Sequence, residues 1–309
     1  MSIYALPLRN RFRGIAVREG MLFEGPAGWA EWSPFAEYDD RTCVAWLRAA
    51  REAAYDGWPA AVRDSVPVNC TVPAVGPQRA AEIVAASGCA TAKVKVAERG
   101  QSLADDLDRV EAVRSALGPS GRIRVDANGA WSVDEAVTAL RSLARFSLEY
   151  AEQPCASVEE LAQVRRRAAV PVAADESIRR AADPYRVRDL DAADVAVLKV
   201  QPLGGVRACL GIAERIGLPV VVSSALETSV GIAAGVALAA ALPELSYACG
   251  LATVSMFTAD VVAEPLVPVK GRLPVVRPAP DPALLAAARA DDAVVARWQE
   301  RLGRVEKLL

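Results

Sequence analysis

A chain of 309 residues, 52% of them hydrophobic, can bury one large core, or a barrel with a smaller domain beside it. Its 36 basic and 38 acidic residues leave a net charge of −2, which excludes the single-sign field that steers nucleic acid or anionic lipid; neither is expected as a partner. There is no histidine, which removes Ser-His-Asp and Cys-His catalysis, histidine zinc sites and any histidine base.

In chain order, residues 1–13 carry charge only at Arg9, Arg11 and Arg13 and lead into no long apolar run, so no targeting segment is expected. Antiparallel strand signals follow at 12–18, 21–24 and 27–32, then a helical stretch at 42–56, with Trp29 and Trp32 read as core. Residues 1–65 are therefore expected to form a small α+β capping domain. From residue 66 a β-rich run, a turn and a helical stretch recur, the runs being 66–72, 92–96, 122–128, 147–153, 170–176, 194–200, 219–224 and 247–253. Eight such runs predict a TIM-type parallel β/α barrel over 66–270. Amphipathic helices lie between them, for example over 102–117, 132–143 and 158–169, with Ser132, Ser157 and Asp183 as expected N-caps. Gly204-Gly205 reads as a tight turn. The apolar run 230–242 is too short to span a bilayer and stops at Pro243, so it reads as a buried helix. The tail 271–309 is Pro-rich, turns helical from Asp281, and is expected to complete the cap. The six cysteines are scattered with no CxxC pair, the pattern of reduced core residues in a cytoplasmic protein with no obligate protein partner indicated.

Active sites of such barrels lie at the C-terminal ends of the strands, and the polar residues there form a series. Lys93 and Lys95 sit two apart in the second run, Asp126 and Asn128 at the end of the third, Glu152 at the end of the fourth, Asp175-Glu176 at the end of the fifth and Lys199 in the sixth. A spacing of two turns each pair to one face, towards the barrel interior. Taken singly, an acidic strand end is commonly a helix cap, and a Lys-x-Lys commonly an edge strand with a solvated face. Only five of the 36 basic residues are lysines, however, and three of them fall in this series. Arginine does not give up its proton in a protein, whereas a buried lysine can act as a base. Asp126, Glu152 and Asp175 on successive strands would repel one another unless a cation joined them, and a hard divalent ion such as Mg²⁺, or Mn²⁺ in its place, suits three oxygen ligands.

The set Lys93-x-Lys95, Asp126-x-Asn128, Glu152-Gln153-Pro154, Asp175-Glu176-Ser177 and Lys199 resembles the muconate-cycloisomerase branch of the enolase superfamily, over nearly the whole chain. Arg18-Glu19-Gly20, the phrase from Gly28 to Phe35, and Ser223-Ser224-Ala225-Leu226-Glu227-Thr228-Ser229 are most similar to the dehydratases of menaquinone biosynthesis within that branch. The resemblance implies a small carboxylate substrate, 2-succinyl-6-hydroxy-2,4-cyclohexadiene-1-carboxylate, losing water in a syn, Mg²⁺-dependent elimination. It implies Lys95 as base, Lys93 lowering the pKa of Lys95, and Lys199 stabilising the intermediate from the opposite face. Asp126, Glu152 and Asp175 would bind metal; Ser223, Ser224, Glu227 and Gly250 would contact substrate; Asn128, Glu176 and Arg124 would support them. Residues 6–14 of the cap and 223–227 are expected to line the pocket opposite the metal. An N-acylamino acid racemase or dipeptide epimerase of the same superfamily uses the same lysines; Gly250-Leu251-Ala252-Thr253 lacks the DxD that dipeptide epimerases share there. A metal-free Schiff-base aldolase acting through Lys199 is the alternative from another class.

Overall fold

The computed structural model describes residues 1–309. In the cap, β1 (Ser2–Phe12), β2 (Ile15–Gly25) and β3 (Gly28–Trp32) form an antiparallel sheet in that order. The hairpin turns at Arg13 and Gly14, whose φ angles of 50° and 79° give the paired positive values that match a two-residue turn to strand twist. This corrects the expected strand at 12–18: the turn lies inside it, and the first strand lies before it. Pro7 had masked that strand; it is exposed, in the edge strand of the sheet, where proline is tolerated. The helix α1 (Asp40–Arg51) follows, capped by Asp39, whose side chain accepts from the Thr42 amide at 2.8 Å.

The expected first barrel run divides. β4 (Ser65–Pro67) leaves the barrel, and β5 (Cys70–Val72) is its first strand. The chain then alternates through α2 (Pro77–Ser87), β6 (Thr91–Lys95), α3 (Leu103–Leu117), β7 (Arg122–Asp126), α4 (Val133–Leu143), β8 (Leu148–Glu152), α5 (Val158–Arg167) and β9 (Val172–Ala174). Two short helices, α6 (Glu176–Arg179) and α7 (Arg186–Asp189), precede β10 (Val195–Lys199), α8 (Val206–Ile216), β11 (Val220–Ser223) and α9 (Ser229–Ala241). The tail adds β12 (Arg272–Pro274), which pairs with β4, then α10 (Pro282–Ala287) and α11 (Asp292–Glu306). Ser102, Ser132 and Ser157 each form a reciprocal capping box, with Asp105, Glu135 and Glu160. Asp183 is not an N-cap: it accepts from the Tyr185 amide at 2.9 Å as a local turn, and α7 starts only after Tyr185.

Strands β5 to β11 make one parallel sheet of seven in sequence order. The eighth strand expected at 247–253 is reduced to two bridges, Val68 with Cys249 and Ser223 with Gly250, which join the sheet's two edges and close the barrel. Beyond them Ala252–Met256 winds into a 3₁₀ turn. The barrel core is built from Val, Ala, Leu and Ile of the strands and inner helix faces, as sheets covered on both sides require. α9 is buried almost throughout its length, and no helix is long and apolar enough to cross a membrane. A second core joins cap and tail: Trp32, Phe35 and Trp46 meet Trp298 and Val305 of α11, with Trp32 and Trp298 edge to face at 5.3 Å. Ala225, Leu226 and Val230 of the barrel enter this second core. All six cysteines are free and buried.

Candidate active site

The site forms where β6, β7, β8 and β10 end beneath the cap hairpin. Parallel register sets Lys95 beside Asp126 and Asp126 beside Glu152, so a lysine and two carboxylates end three successive strands side by side. Lys93 donates to both Glu152 oxygens at 2.9 and 3.1 Å and lies 3.3 Å from Asp126 Oδ2. Lys95 Nζ reaches Asp126 Oδ2 and Asn128 Oδ1, each at 2.6 Å, and faces the Phe12 ring at 5.3 Å. Lys199 Nζ donates to Asp175 Oδ2 at 2.6 Å. The other Asp175 oxygen accepts from Arg179 Nε at 2.9 Å, while Arg179 also donates to Glu176 at 2.6 Å and to the Tyr38 hydroxyl of the cap at 2.7 Å.

The electrostatics follow from this packing. Burial works against the charge of Asp126, but the Lys95 and Lys93 ammoniums outweigh it and hold the carboxyl well below its ordinary range. Asp175 is likewise held low, against burial, by Arg179 and Lys199. Glu152 goes the other way: burial and the neighbouring Asp126 charge push it up to about 7, against the pull of Lys93. Burial lowers Lys95, Asp126 opposes that, and Lys93 adds to it. The lowering expected from the like charge of Lys93 is thus present, but desolvation comes first. Lys93 itself is raised, because Glu152 and Asp126 overcome burial.

Asp126, Glu152 and Asp175 occupy successive strand ends, yet no three acidic side chains lie close enough together to grip one ion. Each carboxylate instead turns to a lysine of the chain: Asp126 to Lys95, Glu152 to Lys93 and Asp175 to Lys199. The donor set still suits an oxygen-preferring ion: three fully buried carboxylates on adjacent strands, no histidine in the chain, and Glu152 raised partly by Asp126.

A narrow cleft of about 30 Å³ opens onto Lys93, Lys95 and Lys199. Ser223, Ser224 and Gly250 form one wall, and Phe12 and Arg13 of the hairpin cover it. No acidic side chain lines the cleft, which presents cations, neutral polar groups and the apolar Phe12, Ala225 and Leu226. At Gly250 a Cβ would lie 2.5 Å from Ser223 Oγ, so any larger residue would force that hydroxyl to turn away. Ser224 Oγ pairs with Thr253 Oγ1 at 2.8 Å. From 6–14, only Phe12 and Arg13 reach this cleft; Leu8 instead bridges to Phe257. Glu227 does not line it: the side chain is buried behind the wall, accepting from the Ala225 amide at 2.7 Å.

Asn128 and Glu176 stand beside the carboxylates. The Asn128 amide N–H donates to Asp126 at 3.0 Å and its side chain to Glu176 at 3.2 Å. Asn128 has φ 47°, a conformation asparagine tolerates. Arg124 lies a layer lower, donating to Glu149, Asn69 and the Ala248 carbonyl, with its guanidinium over Tyr150, and makes no hydrogen bond to the three carboxylates. Two contributors had no role assigned from the sequence, Gln153 having been read only as part of the Glu152-Gln153-Pro154 phrase. Arg179 is spaced four and three residues from Asp175 and Glu176, the helical interval that places their side chains together. Gln153 ties strand ends: its Oε1 accepts from the Asp175 and Ser177 amides at 3.0 and 3.1 Å.

Comparison with known proteins agrees with this architecture. A family described as enolase C-terminal domain-like matches residues 77–281, and one described as enolase N-terminal domain-like matches 3–54. The chain is 69% identical to an o-succinylbenzoate synthase of Thermobifida fusca, over 97% of this chain and 93% of the relative. It is 56% identical to an o-succinylbenzoate synthase of Mycobacterium tuberculosis, over 100% of this chain and 94% of that one. Among solved structures, muconate lactonizing enzyme from Pseudomonas fluorescens superposes with a TM-score of 0.80 at 21% identity, covering 94% of this chain and 97% of that one, a likeness of fold. The chain thus belongs to the enolase superfamily, and within it to the family of the o-succinylbenzoate synthases.

Proposed function

We propose that this protein removes water from 2-succinyl-6-hydroxy-2,4-cyclohexadiene-1-carboxylate to give o-succinylbenzoate, in menaquinone biosynthesis, with Lys95 as the base. The observation that carries the reading is a cleft lined by Lys93, Lys95 and Lys199 and by no carboxylate, in a chain so similar to the synthases. A carboxylate substrate meets only cations and neutral groups there.

Asp126, Glu152 and Asp175 are the residues that would hold Mg²⁺, which when bound supplies Lewis acidity for the negative charge that develops on the substrate carboxylate. The chain's own part is proton transfer and orientation. Once Asp126 is engaged elsewhere, burial and Lys93 together favour the neutral amine of Lys95, the form that accepts a proton. Lys95 then takes the hydrogen next to the carboxylate, the C–H electron pair becomes the new double bond, and the C–O bond to the hydroxyl breaks. In a syn elimination both groups leave from one face, so the same ammonium returns its proton to the departing oxygen, water leaves, and Lys95 is neutral again. Lys199, across the cleft, contributes positive charge opposite the developing anion. Asn128 accepts from Lys95 and orients its amine.

Lys95 and Lys199 both border the cleft, as a two-base racemase of N-acylamino acids also requires. An imine-forming aldolase would need Lys199 Nζ free to attack, whereas here it donates to Asp175 at 2.6 Å. Purified protein incubated with the cyclohexadiene substrate is expected to form the aromatic product, followed by ultraviolet absorbance and mass. Absence of product, or borohydride trapping of substrate on Lys199, would overturn the reading.

A further inference from the structure

We propose that Arg18, in the cap, is a positioning residue: it pins the cleft wall 223–226 by holding Leu226 in a backbone conformation that leucine disfavours. Leu226 has φ 64°, in the left-handed region where a side chain's Cβ crowds the carbonyl, and such residues persist only where their surroundings hold them. Here the polar hold on that carbonyl is one guanidinium, while the leucine side chain is buried in the second core. Arg18 Nε donates to the Leu226 carbonyl at 2.8 Å and Nη2 to that of Ala225 at 3.4 Å. Its remaining bonds go to the carbonyls of Ser33 and Glu19, and its charge lies 4.2 Å above the Phe35 ring.

Arg18 is 2% exposed, and all its hydrogen bonds end on backbone carbonyls, with no salt bridge to a carboxylate. The buried Glu31 and Glu227 feel its charge but form no salt bridge with it, so the guanidinium's direct partners are backbone carbonyls alone. What the guanidinium adds is direction: a rigid fork that fixes two successive carbonyls of the wall to β2. The far side of the turn is closed by Glu227, accepting from the Ala225 amide, and by Gln201, which donates to Glu227 at 3.4 Å and to Ser33 Oγ at 3.2 Å. Because β2 also carries the hairpin whose tip covers the cleft, cap and wall are set by a single strand.

The proposal rests on the dehydratase reading for its kinetic arm, and a second arm needs no substrate. Four proteins are compared: wild type, R18M, R18K and R18M/L226G, each checked for folding by circular dichroism. R18M removes charged hydrogen bonds that hold the wall, so KM should rise roughly tenfold or more with kcat changed far less. R18K should recover part of the loss. Adding L226G to R18M should recover KM at least about threefold, because glycine adopts positive φ unaided. In the substrate-free arm, hydrogen–deuterium exchange should accelerate in R18M for peptides covering 223–228 and remain at wild-type rates in the β6 to β8 peptides. Unchanged exchange at 223–228, a general acceleration, or R18M/L226G worse than R18M would overturn the proposal. If the wild type proves not to dehydrate the substrate, the functional reading fails while the exchange arm still decides this one.

Discussion

Replacing each of the two cleft lysines by arginine separates a base from a charge. At position 95 arginine keeps the positive charge next to Asp126, but it holds its proton above a pKa of about 12 and cannot accept the substrate's. A positioned general base contributes about 10²–10⁴-fold to rate, equivalent to about 3–5 kcal/mol of barrier, and K95R should lose most of that. At position 199 arginine keeps both the charge and a donor for Asp175, which lies 2.6 Å from the lysine and already accepts from Arg179. Its loss should come from fitting a larger head into a buried site, an overpacking of about 1–3 kcal/mol, or roughly tenfold to a hundredfold in rate. K199R is therefore expected to retain more kcat/KM than K95R, by roughly thirtyfold at the midpoints of the two ranges. Steady-state ultraviolet assays on the two variants and wild type, with circular dichroism to confirm folding, make the comparison. K95R as active as K199R, or more so, would reverse the two roles.

Two further outcomes follow from packing. Burial, and next Glu31, raise the Glu227 carboxyl from 4.5 to about 7, so the fold favours its protonated form; the stability this contributes is complete below the ordinary pKa and is lost as pH rises through about 7. E227Q, which mimics the protonated form, should gain on wild type by about 1–3 kcal/mol between pH 5 and 8 in urea unfolding; a gap independent of pH would contradict the burial argument. G250A should push Ser223 out of the cleft wall, raising KM about tenfold or more while unfolding within a few degrees of wild type, and an unchanged KM would show that the Gly250–Ser223 contact does not shape the site.

Much of this architecture was legible because parallel strands covered on both faces read as short apolar runs at regular spacing, and seven such runs became strands of one sheet. The eighth, around Cys249-Gly250, was harder. Its residues pair only at two bridges, and the chain turns away at Ala252, so its apolar character reflects burial more than strand pairing. β1 was hidden by Pro7, and the Arg13-Gly14 turn was read as part of a strand. The lysines and carboxylates stood out since the chain has so few lysines and spaces these by two. Their mutual pairing did not, because which oxygen each ammonium takes depends on strand register and side-chain length. Arg18 was visible only as part of a phrase: its partner Leu226 is 208 residues away, and a guanidinium bound to backbone carbonyls leaves no complementary side chain to find.

Metal dependence tests the central claim most directly, since the three carboxylates are held here by the chain's own cations while the proposed chemistry assigns them to Mg²⁺. Dehydration is measured on protein stripped with EDTA and then titrated with Mg²⁺ or Mn²⁺, in wild type, D126N and E152Q. The account predicts no turnover in excess EDTA, saturable recovery in wild type, and weakened or absent recovery in both variants. Full turnover in excess EDTA would contradict it.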